Sequence, residues 1–147
     1  RHLSLQLNRP GTYCLTMHLT QDTLIKIGSL ADHHFLTGYY VYVGSALNGL
    51  MRRLRHHLKV NTRSHWHVDY LRHHAFITGI WYTYSSKRLE CLWNSLLINA
   101  SKAETPIRDF GSSDCKCHTH LTFFSKKPQI GEIIAPISYL DISDVAL

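Results

Sequence analysis

The sequence predicts a mixed α/β (α+β) fold in which a small antiparallel sheet is flanked by helices. Three segments rich in β-branched and aromatic residues, 12–20, 23–30 and 39–44, follow one another closely. The connections between them are too short for a parallel crossover, which predicts an antiparallel meander. From residue 47 the apolar spacing changes to that of a helix. Both kinds of element in one short chain predict a sheet with helices packed on it.

The first predicted helix carries an apolar stripe at helical spacing, formed by Leu47, Leu50, Met51, Leu54 and Leu58. At about 100° per residue, Arg53 and His57 border this stripe on the same side. Arg52 and His56 face solvent in the same projection. The pattern therefore directs Arg53 and His57, rather than their neighbours, toward the sheet.

Four later elements follow from composition. Residues 65–74 favour a helix, 75–84 a strand and 119–124 a late strand. A further helix from residue 87 to about 100 has N-cap candidates in Ser85 and Ser86, and its predicted buried face is Leu89, Leu92, Trp93, Leu96, Leu97 and Ala100. The expected organisation is one domain over residues 1–125, followed by a tail at 126–147 that is irregular apart from one or two short extended pieces.

Charge and hydropathy narrow the class of partner. A formal net charge of +6 and a pI near 9.3 favour an anionic partner, although a solvated basic surface remains the alternative. No apolar run reaches the roughly 18 residues of a membrane span, and no signal peptide is evident. We expect a soluble, intracellular (cytoplasmic) protein with no membrane partner and with cysteines that are reduced or bind metal. The oligomeric state is not indicated.

Several short motifs occur in a characteristic order. They are "GTY" at 11–13, "YVG" at 42–44, an Arg-x-x-x-His pair in the next helix and a Glu that opens a later helix. Together they resemble the GIY-YIG nuclease superfamily, and the strings "YVYVGSA", "HWHVDY", "LEC" and "FGSSDCKCHTHL" resemble its compact Uri-type branch. The resemblance extends from about residue 11 to residue 124.

The resemblance implies a GIY-YIG-like fold that hydrolyses DNA phosphodiester bonds with a single divalent cation, Mg²⁺ or Mn²⁺. It implies that Tyr13 and Tyr42 lie in neighbouring strands and face the phosphate. It further implies that Arg53 binds the phosphate, His57 supports acid/base chemistry and Glu90 holds the metal.

Elementary chemistry is consistent with these roles. A phosphodiester under attack by water gathers negative charge, which a guanidinium binds in bidentate fashion and Mg²⁺ neutralises. A single carboxylate suits Mg²⁺, which keeps several of its waters. Each residue also has a plainer interpretation: the tyrosines as strand aromatics, Arg53 as part of a solvated helix face and Glu90 as a first-turn acid.

Further residues are expected to contact DNA. A turn at Gly44 and Ser45 would let the backbone approach a phosphate, and the helix cations would bind neighbouring phosphates. His67 is assigned to the DNA groove, with a pairing to Asp69 as the alternative. The complete expected nucleic-acid-binding set is Gly44, Ser45, Arg52, Arg55, Lys59, His67, Ser113, Lys116 and His120.

The string "DCKCHTH" contains soft metal ligands. Zinc could be bound by Cys115, Cys117 and His120, with Cys91 or His118 as additional donors. The CxC spacing and the lack of a second knuckle favour packed thiols over zinc. We therefore expect a metal-dependent DNA endonuclease of limited sequence specificity. The alternatives are a non-catalytic nucleic-acid-binding module on the same basic face and a zinc-stabilised interaction domain.

Overall fold

The structure, a computed structural model, describes residues 8–59, 64, 66–112 and 117–145. None of the helices in these ranges is long and apolar enough to cross a membrane. In chain order the elements are β1 (Gly11–Leu19), β2 (Thr23–Lys26), β3 (Asp32–Phe35), β4 (Gly38–Ala46), α1 (Leu50–Leu58), α2 (His67–Arg72), β5 (Phe76–Tyr84), α3 (Glu90–Ile98), β6 (Leu121–Phe124), α4 (Ile130–Ile133), β7 (Ser138–Leu140) and a 3₁₀ turn (Ile142–Asp144).

The centre of the fold is a five-stranded sheet in the order β6-β4-β1-β5-β7, with every neighbouring pair antiparallel. The predicted fold class is confirmed, but the predicted meander is wrong. β1 pairs directly with β4, while β2 and β3 form a separate two-stranded sheet. The physical reason lies in burial: β1 and β4 are buried on both faces and need partners in the core, whereas β2 and β3 leave alternate residues exposed. β3 was not predicted, because "DHHF" is too polar to read as a strand.

The two faces of the sheet are covered by different helices. Alternate residues of β1, including Tyr13 and Leu15, pack into the larger core with residues of α1 and α2. Cys14 points to the opposite face and packs with Trp93 and Leu97 of α3. Side chains that share the face of Tyr13 can therefore meet α1.

Helix α1 begins at Leu50, three residues later than the apolar stripe predicted. Gly49 precedes it with a φ of 121°, a conformation that favours glycine and prevents the helix from starting earlier. Leu47 is consequently outside the helix and 40% exposed. The rest of the predicted stripe is confirmed, because Leu50, Met51, Leu54 and Leu58 are all buried.

Helix α3 spans Glu90–Ile98, which is shorter than predicted at both ends. Trp93 and Leu97 are buried as expected, but Leu92 and Leu96 are 59% and 41% exposed. The predicted apolar face was too wide, because only the side of α3 that contacts the sheet is covered.

The segment after residue 125 is part of the packed structure rather than a loosely attached tail. Its strand β7 pairs with β5, matching Leu140 with Ile80 and Tyr139 with Trp81. Leu140 and Val145 are buried in the same core as Tyr13. Short extended pieces were predicted here, but their place at the edge of the central sheet was not.

Candidate active site

The two motif tyrosines lie on the same face of adjacent strands. In the register of β1 and β4, Tyr13 lies opposite Gly44 and Leu15 lies opposite Tyr42. The ring centroids of Tyr13 and Tyr42 are 6.3 Å apart. Their predicted placement in neighbouring strands is confirmed. Both rings are almost completely buried, with Tyr13 at 0% and Tyr42 at 5% exposure.

Gly44 serves a different purpose from the expected one. It lies inside β4 rather than in a turn, and it is buried. A Cβ atom at this position would lie 2.6 Å from the hydroxyl oxygen of Tyr13. The missing side chain thus makes room for Tyr13, and the expected approach of a phosphate to Gly44 is not supported by its burial. The neighbouring Ser45 accepts a hydrogen bond at its carbonyl oxygen from Arg53 (3.2 Å).

His57 links the tyrosines to α2. Its Nε2 lies 2.6 Å from the hydroxyl oxygen of Tyr13, and both groups are buried. Its Nδ1 lies 3.8 Å from Oδ1 of Asp69. A proton on Nδ1 is favoured by the nearby carboxylate, and Nε2 then accepts the hydrogen bond that Tyr13 donates. The cluster therefore has the order Tyr13, His57, Asp69.

Burial keeps the two tyrosines and His57 neutral. It raises the pKa of Tyr13 to about 12, which the positive charge of Arg53 partly offsets. Burial also raises the pKa of Tyr42, and the proximity of Tyr13 adds to the effect. The pKa of His57 is lowered by burial, although Asp69 acts in the opposite direction. At neutral pH all three side chains are uncharged.

The helical projection of α1 is confirmed for its arginines. Arg53 is partly buried beside the cluster, whereas Arg52 is exposed. His56 was expected to face solvent and is instead 23% exposed, with its Nε2 3.0 Å from Oδ2 of Asp69. The expectation failed because it considered α1 alone, and α2 places a carboxylate against that side.

Trp66 is a part of the site that the sequence analysis did not single out. Its indole lies against Arg53, with the guanidinium carbon 4.2 Å from the ring centroid, and its ring centroid is 5.9 Å from that of His57. Trp66 is partly exposed. It forms the outer wall of the site, while its backbone N–H donates to Asp69 (2.8 Å).

His67 is turned toward another segment. Its Nδ1 accepts a hydrogen bond from the backbone N–H of Gly111 (2.9 Å), and its ring packs on Phe110. The alternative pairing with Asp69 is wrong, because Asp69 contacts Trp66 and the two histidines of α1 instead. His67 is only partly exposed, and its ring holds the loop that leads to Gly111.

Glu90 lies in the first turn of α3 and is 8% exposed. Its Oε1 is 3.8 Å from NH1 of Arg88, and its Oε2 is 3.9 Å from Nδ1 of His120. Its negative charge contributes to raising the pKa of both Tyr13 and Tyr42, so the carboxylate lies within electrostatic range of the tyrosines. A carboxylate near a buried polar cluster suits Mg²⁺ or Mn²⁺, because both are hard cations that bind oxygen.

The remaining expected DNA contacts divide into three groups. Lys59 is exposed and Arg55 partly exposed, so both are accessible on α1. His120 is 0% exposed, and the expectation that it contacts DNA is corrected: its ring points into the protein, toward Glu90 and Cys91. Ser113 and Lys116, together with the zinc candidate Cys115, lie outside the described residues.

Comparison with models of protein families assigns the chain to a family. A family described as "Domain of unknown function DUF123" matches residues 12–139. The chain belongs to the DUF123 family. No curated protein and no solved structure matches it significantly. The DUF123 match runs from β1 into β7, so it includes Tyr13, the basic helix α1, Glu90 and the strand that completes the sheet.

Proposed function

We propose that this protein is a metal-dependent endonuclease that hydrolyses phosphodiester bonds in DNA. The observation that carries the proposal is the buried hydrogen bond between Tyr13 and His57, with Arg53 beside it and Asp69 behind it. The motif resemblance to GIY-YIG nucleases of the Uri type supports the same activity. A purely structural core would gain little from so many polar groups in one buried cluster.

Tyr13 and His57 act together as the base in this proposal. With a pKa of about 12, Tyr13 carries almost no phenolate at neutral pH. Its hydroxyl therefore takes the proton of the attacking water while its own proton passes to Nε2 of His57. The imidazolium that forms is stabilised by Asp69, whose Oδ1 is 3.8 Å from Nδ1. The water oxygen bonds to phosphorus as the opposite ester bond breaks, and the leaving oxygen is protonated from solvent.

Arg53 binds the phosphate. Its guanidinium is held from one side by the Ser45 carbonyl oxygen and from another by the Trp66 ring, which fixes its orientation before substrate arrives. Planar N–H donors match two nonbridging oxygens of a phosphate. Preorganised donors of this kind stabilise the charge that develops in the transition state.

Glu90 would hold the divalent cation, and the bound cation would neutralise negative charge on the phosphate oxygens. Around this centre, Arg52, Arg55 and Lys59 on α1 would bind flanking phosphates, consistent with the net charge of +6. No element among the described residues forms a separate DNA-reading domain, which is consistent with limited sequence specificity.

The test is a cleavage assay on single-stranded, duplex and branched DNA, with and without Mg²⁺ or Mn²⁺. Glu90→Gln should abolish cleavage and leave DNA binding within a few-fold of the wild type, because the amide cannot replace the charged metal ligand. Glu132→Gln, at an exposed position on α4, is the matched control and should cut normally.

Two results would count against the proposal. Salt-dependent DNA binding without cleavage of any substrate would support the non-catalytic binding module instead. Full activity of Glu90→Gln, in protein free of contaminating nuclease, would remove Glu90 from the metal site.

A further inference from the structure

Three soft metal ligands converge beside Glu90 from distant parts of the chain. Cys91 lies in the first turn of α3, whereas Cys117 and His120 precede β6. One ligand atom from each residue lies within 4.8 Å of the others. We propose that Cys91, Cys117 and His120 bind a zinc ion. Cys91, an additional donor in the sequence-based candidate set, is a ligand in this assignment, and Cys115 lies outside the described residues.

The ligand atoms lie within about 1 Å of the separations that a zinc ion requires. The sulfur atoms of Cys91 and Cys117 are 2.8 Å apart, and Sγ of Cys91 is 4.0 Å from Nε2 of His120. Tetrahedral zinc, with bonds of about 2.3 Å to sulfur and about 2.0 Å to nitrogen, separates two sulfurs by about 3.8 Å and a sulfur from a nitrogen by about 3.5 Å. On zinc binding the two sulfurs would move apart by about 1 Å, and the sulfur of Cys91 and the nitrogen of His120 would approach each other by about 0.5 Å.

His120 is fixed in the orientation of a metal ligand. Its ring is fully buried, with Nε2 toward Cys91 and Nδ1 3.9 Å from Oε2 of Glu90. Histidines that bind zinc through one nitrogen commonly direct the other toward a carboxylate, which sets the tautomer. Glu90 is in the right place for that role, and a zinc-bound His120 would in turn orient the Glu90 carboxylate.

The backbone around His120 is anchored before any ion binds. The His120 N–H donates to the Phe110 carbonyl oxygen (2.8 Å), and the His120 carbonyl oxygen accepts from the N–H of Val43 (3.1 Å). Asn94, one turn after Glu90 on α3, donates from its buried side chain to the Thr119 carbonyl oxygen. These bonds connect α3 to the segment that carries His120, so the ligands from both segments are held together.

Zinc explains all three residues, whereas other uses of the thiols do not. A disulfide between Cys91 and Cys117 would need an oxidant and would not use Nε2 of His120, which faces Cys91. Binding of Zn²⁺ to two thiols and a neutral imidazole releases two protons and leaves a site with no net charge. Two thiolates and one imidazole are a ligand set that zinc favours, and among the described residues Cys91 brings this set to the protein surface.

The experiment measures metal content and does not use DNA cleavage. Protein prepared without a histidine tag and dialysed against metal-free buffer should retain about one zinc per chain, consistent with the tight binding of structural zinc sites. Cys91→Ser and Cys117→Ser should each lower the zinc content to near zero. The matched control is Cys14→Ala, which removes a buried thiol that is not one of the three grouped ligands and should keep the zinc.

Cobalt substitution keeps the test independent of variant folding. Co²⁺ added to the metal-free wild type should give the intense visible bands of a tetrahedral site and the near-ultraviolet absorption of cobalt–thiolate bonds. Zinc at the wild-type level in Cys91→Ser, or a wild type that neither retains zinc nor gives the cobalt–thiolate absorption, would overturn the assignment. Because the readout is metal content, failure of this inference leaves the proposed nuclease activity standing, and the reverse is also true.

Discussion

The site has two unlike sides. The tyrosine side, formed by Tyr13, Tyr42, His57 and Asp69, lies within the core between the sheet and α1, and its tyrosines and His57 are neutral at pH 7. The carboxylate side, formed by Glu90, His120, Cys91 and Cys117, surrounds the first turn of α3 and reaches the surface at Cys91. In the proposed function this difference would separate two tasks: the buried side would carry out proton transfer, and the side that reaches the surface would bind cations.

The largest expected effect on cleavage comes from substitution of Arg53, which borders the tyrosine side. Arg53→Ala should lower the single-turnover cleavage rate by about 10²- to 10³-fold, because loss of one preorganised transition-state donor costs about 3 to 4 kcal/mol. The rate should be measured at saturating protein, so that weakened DNA binding does not contribute.

Arg52→Ala is the matched control, since Arg52 is adjacent in sequence but exposed. Arg52→Ala should mainly weaken DNA binding. The slope of log affinity against log salt concentration should decrease by about the amount that one phosphate contact contributes. An inactive Arg52→Ala protein together with an active Arg53→Ala protein would show that the phosphate approaches from the solvent face of α1.

A smaller effect is expected from crowding the tyrosine side alone. Gly44→Ala places a methyl carbon 2.6 Å from the hydroxyl oxygen of Tyr13, so the Tyr13 ring must shift and its hydrogen bond to His57 is disturbed. Overpacking of this kind typically costs about 1 to 3 kcal/mol of the free energy of unfolding. Urea denaturation should show the loss, and cleavage should fall with it.

The carboxylate side should be insensitive to this change. Zinc content of Gly44→Ala should match the wild type, because the three atoms nearest to the added Cβ all belong to Tyr13. Gly131→Ala is the stability control, since a Cβ there meets nothing within 4 Å. Equal stability of Gly44→Ala and wild type would contradict the packing of Tyr13 against Gly44.

The smallest expected effect is on how the free energy of unfolding depends on pH. Burial lowers the pKa of His57 below its usual value of 6.5; Asp69 opposes the shift, and Arg53, His56 and Arg72 add to it. Between the folded pKa and about 6.5, the unfolded chain binds a proton at this residue that the folded protein does not. Above about pH 6.5, neutral His57 therefore does not lower the free energy of unfolding. As pH falls below this value, the free energy of unfolding decreases by at most about 1.4 kcal/mol per pH unit because of this residue.

The measurement compares the slope of unfolding free energy against pH from 5 to 6.5. His57→Gln should flatten this slope by up to one proton, whatever its effect on absolute stability. His74→Gln, at an exposed position, should leave the slope unchanged. A slope that is the same in wild type and His57→Gln would show that His57 is charged in the folded protein.

The sequence predicted the structural features that depend on local residue patterns. Runs of β-branched and aromatic residues located β1 and β4, and the stripe on α1 distinguished Arg53 from Arg52. The motif resemblance placed Tyr13 and Tyr42 on neighbouring strands. Each of these inferences depends on residues close in sequence or on a recognised order of motifs.

What the sequence could not predict depends on contacts between distant segments. The pairing of His56 with Asp69 requires knowing how α2 packs on α1. The convergence of Cys91 with Cys117 joins residues 26 positions apart. The sequence named Cys91 only as an additional donor, because no spacing rule for zinc ligands covers a helix and a loop brought together in this way. The role of Gly44 in making room for Tyr13 could be inferred only from the position of the Tyr13 ring in the structure.

Strand β7 has a consequence for how the protein is made. It covers the edge of β5 at Ile80, Trp81 and Tyr82, yet it is translated after every other strand of the central sheet. A nascent chain that has emerged only through β6 carries an uncovered strand edge bearing two aromatic residues, which is a template for pairing with other chains. Ribosome pausing or premature termination before residue 138 would therefore produce an aggregation-prone fragment, even though every residue proposed for catalysis has already been translated.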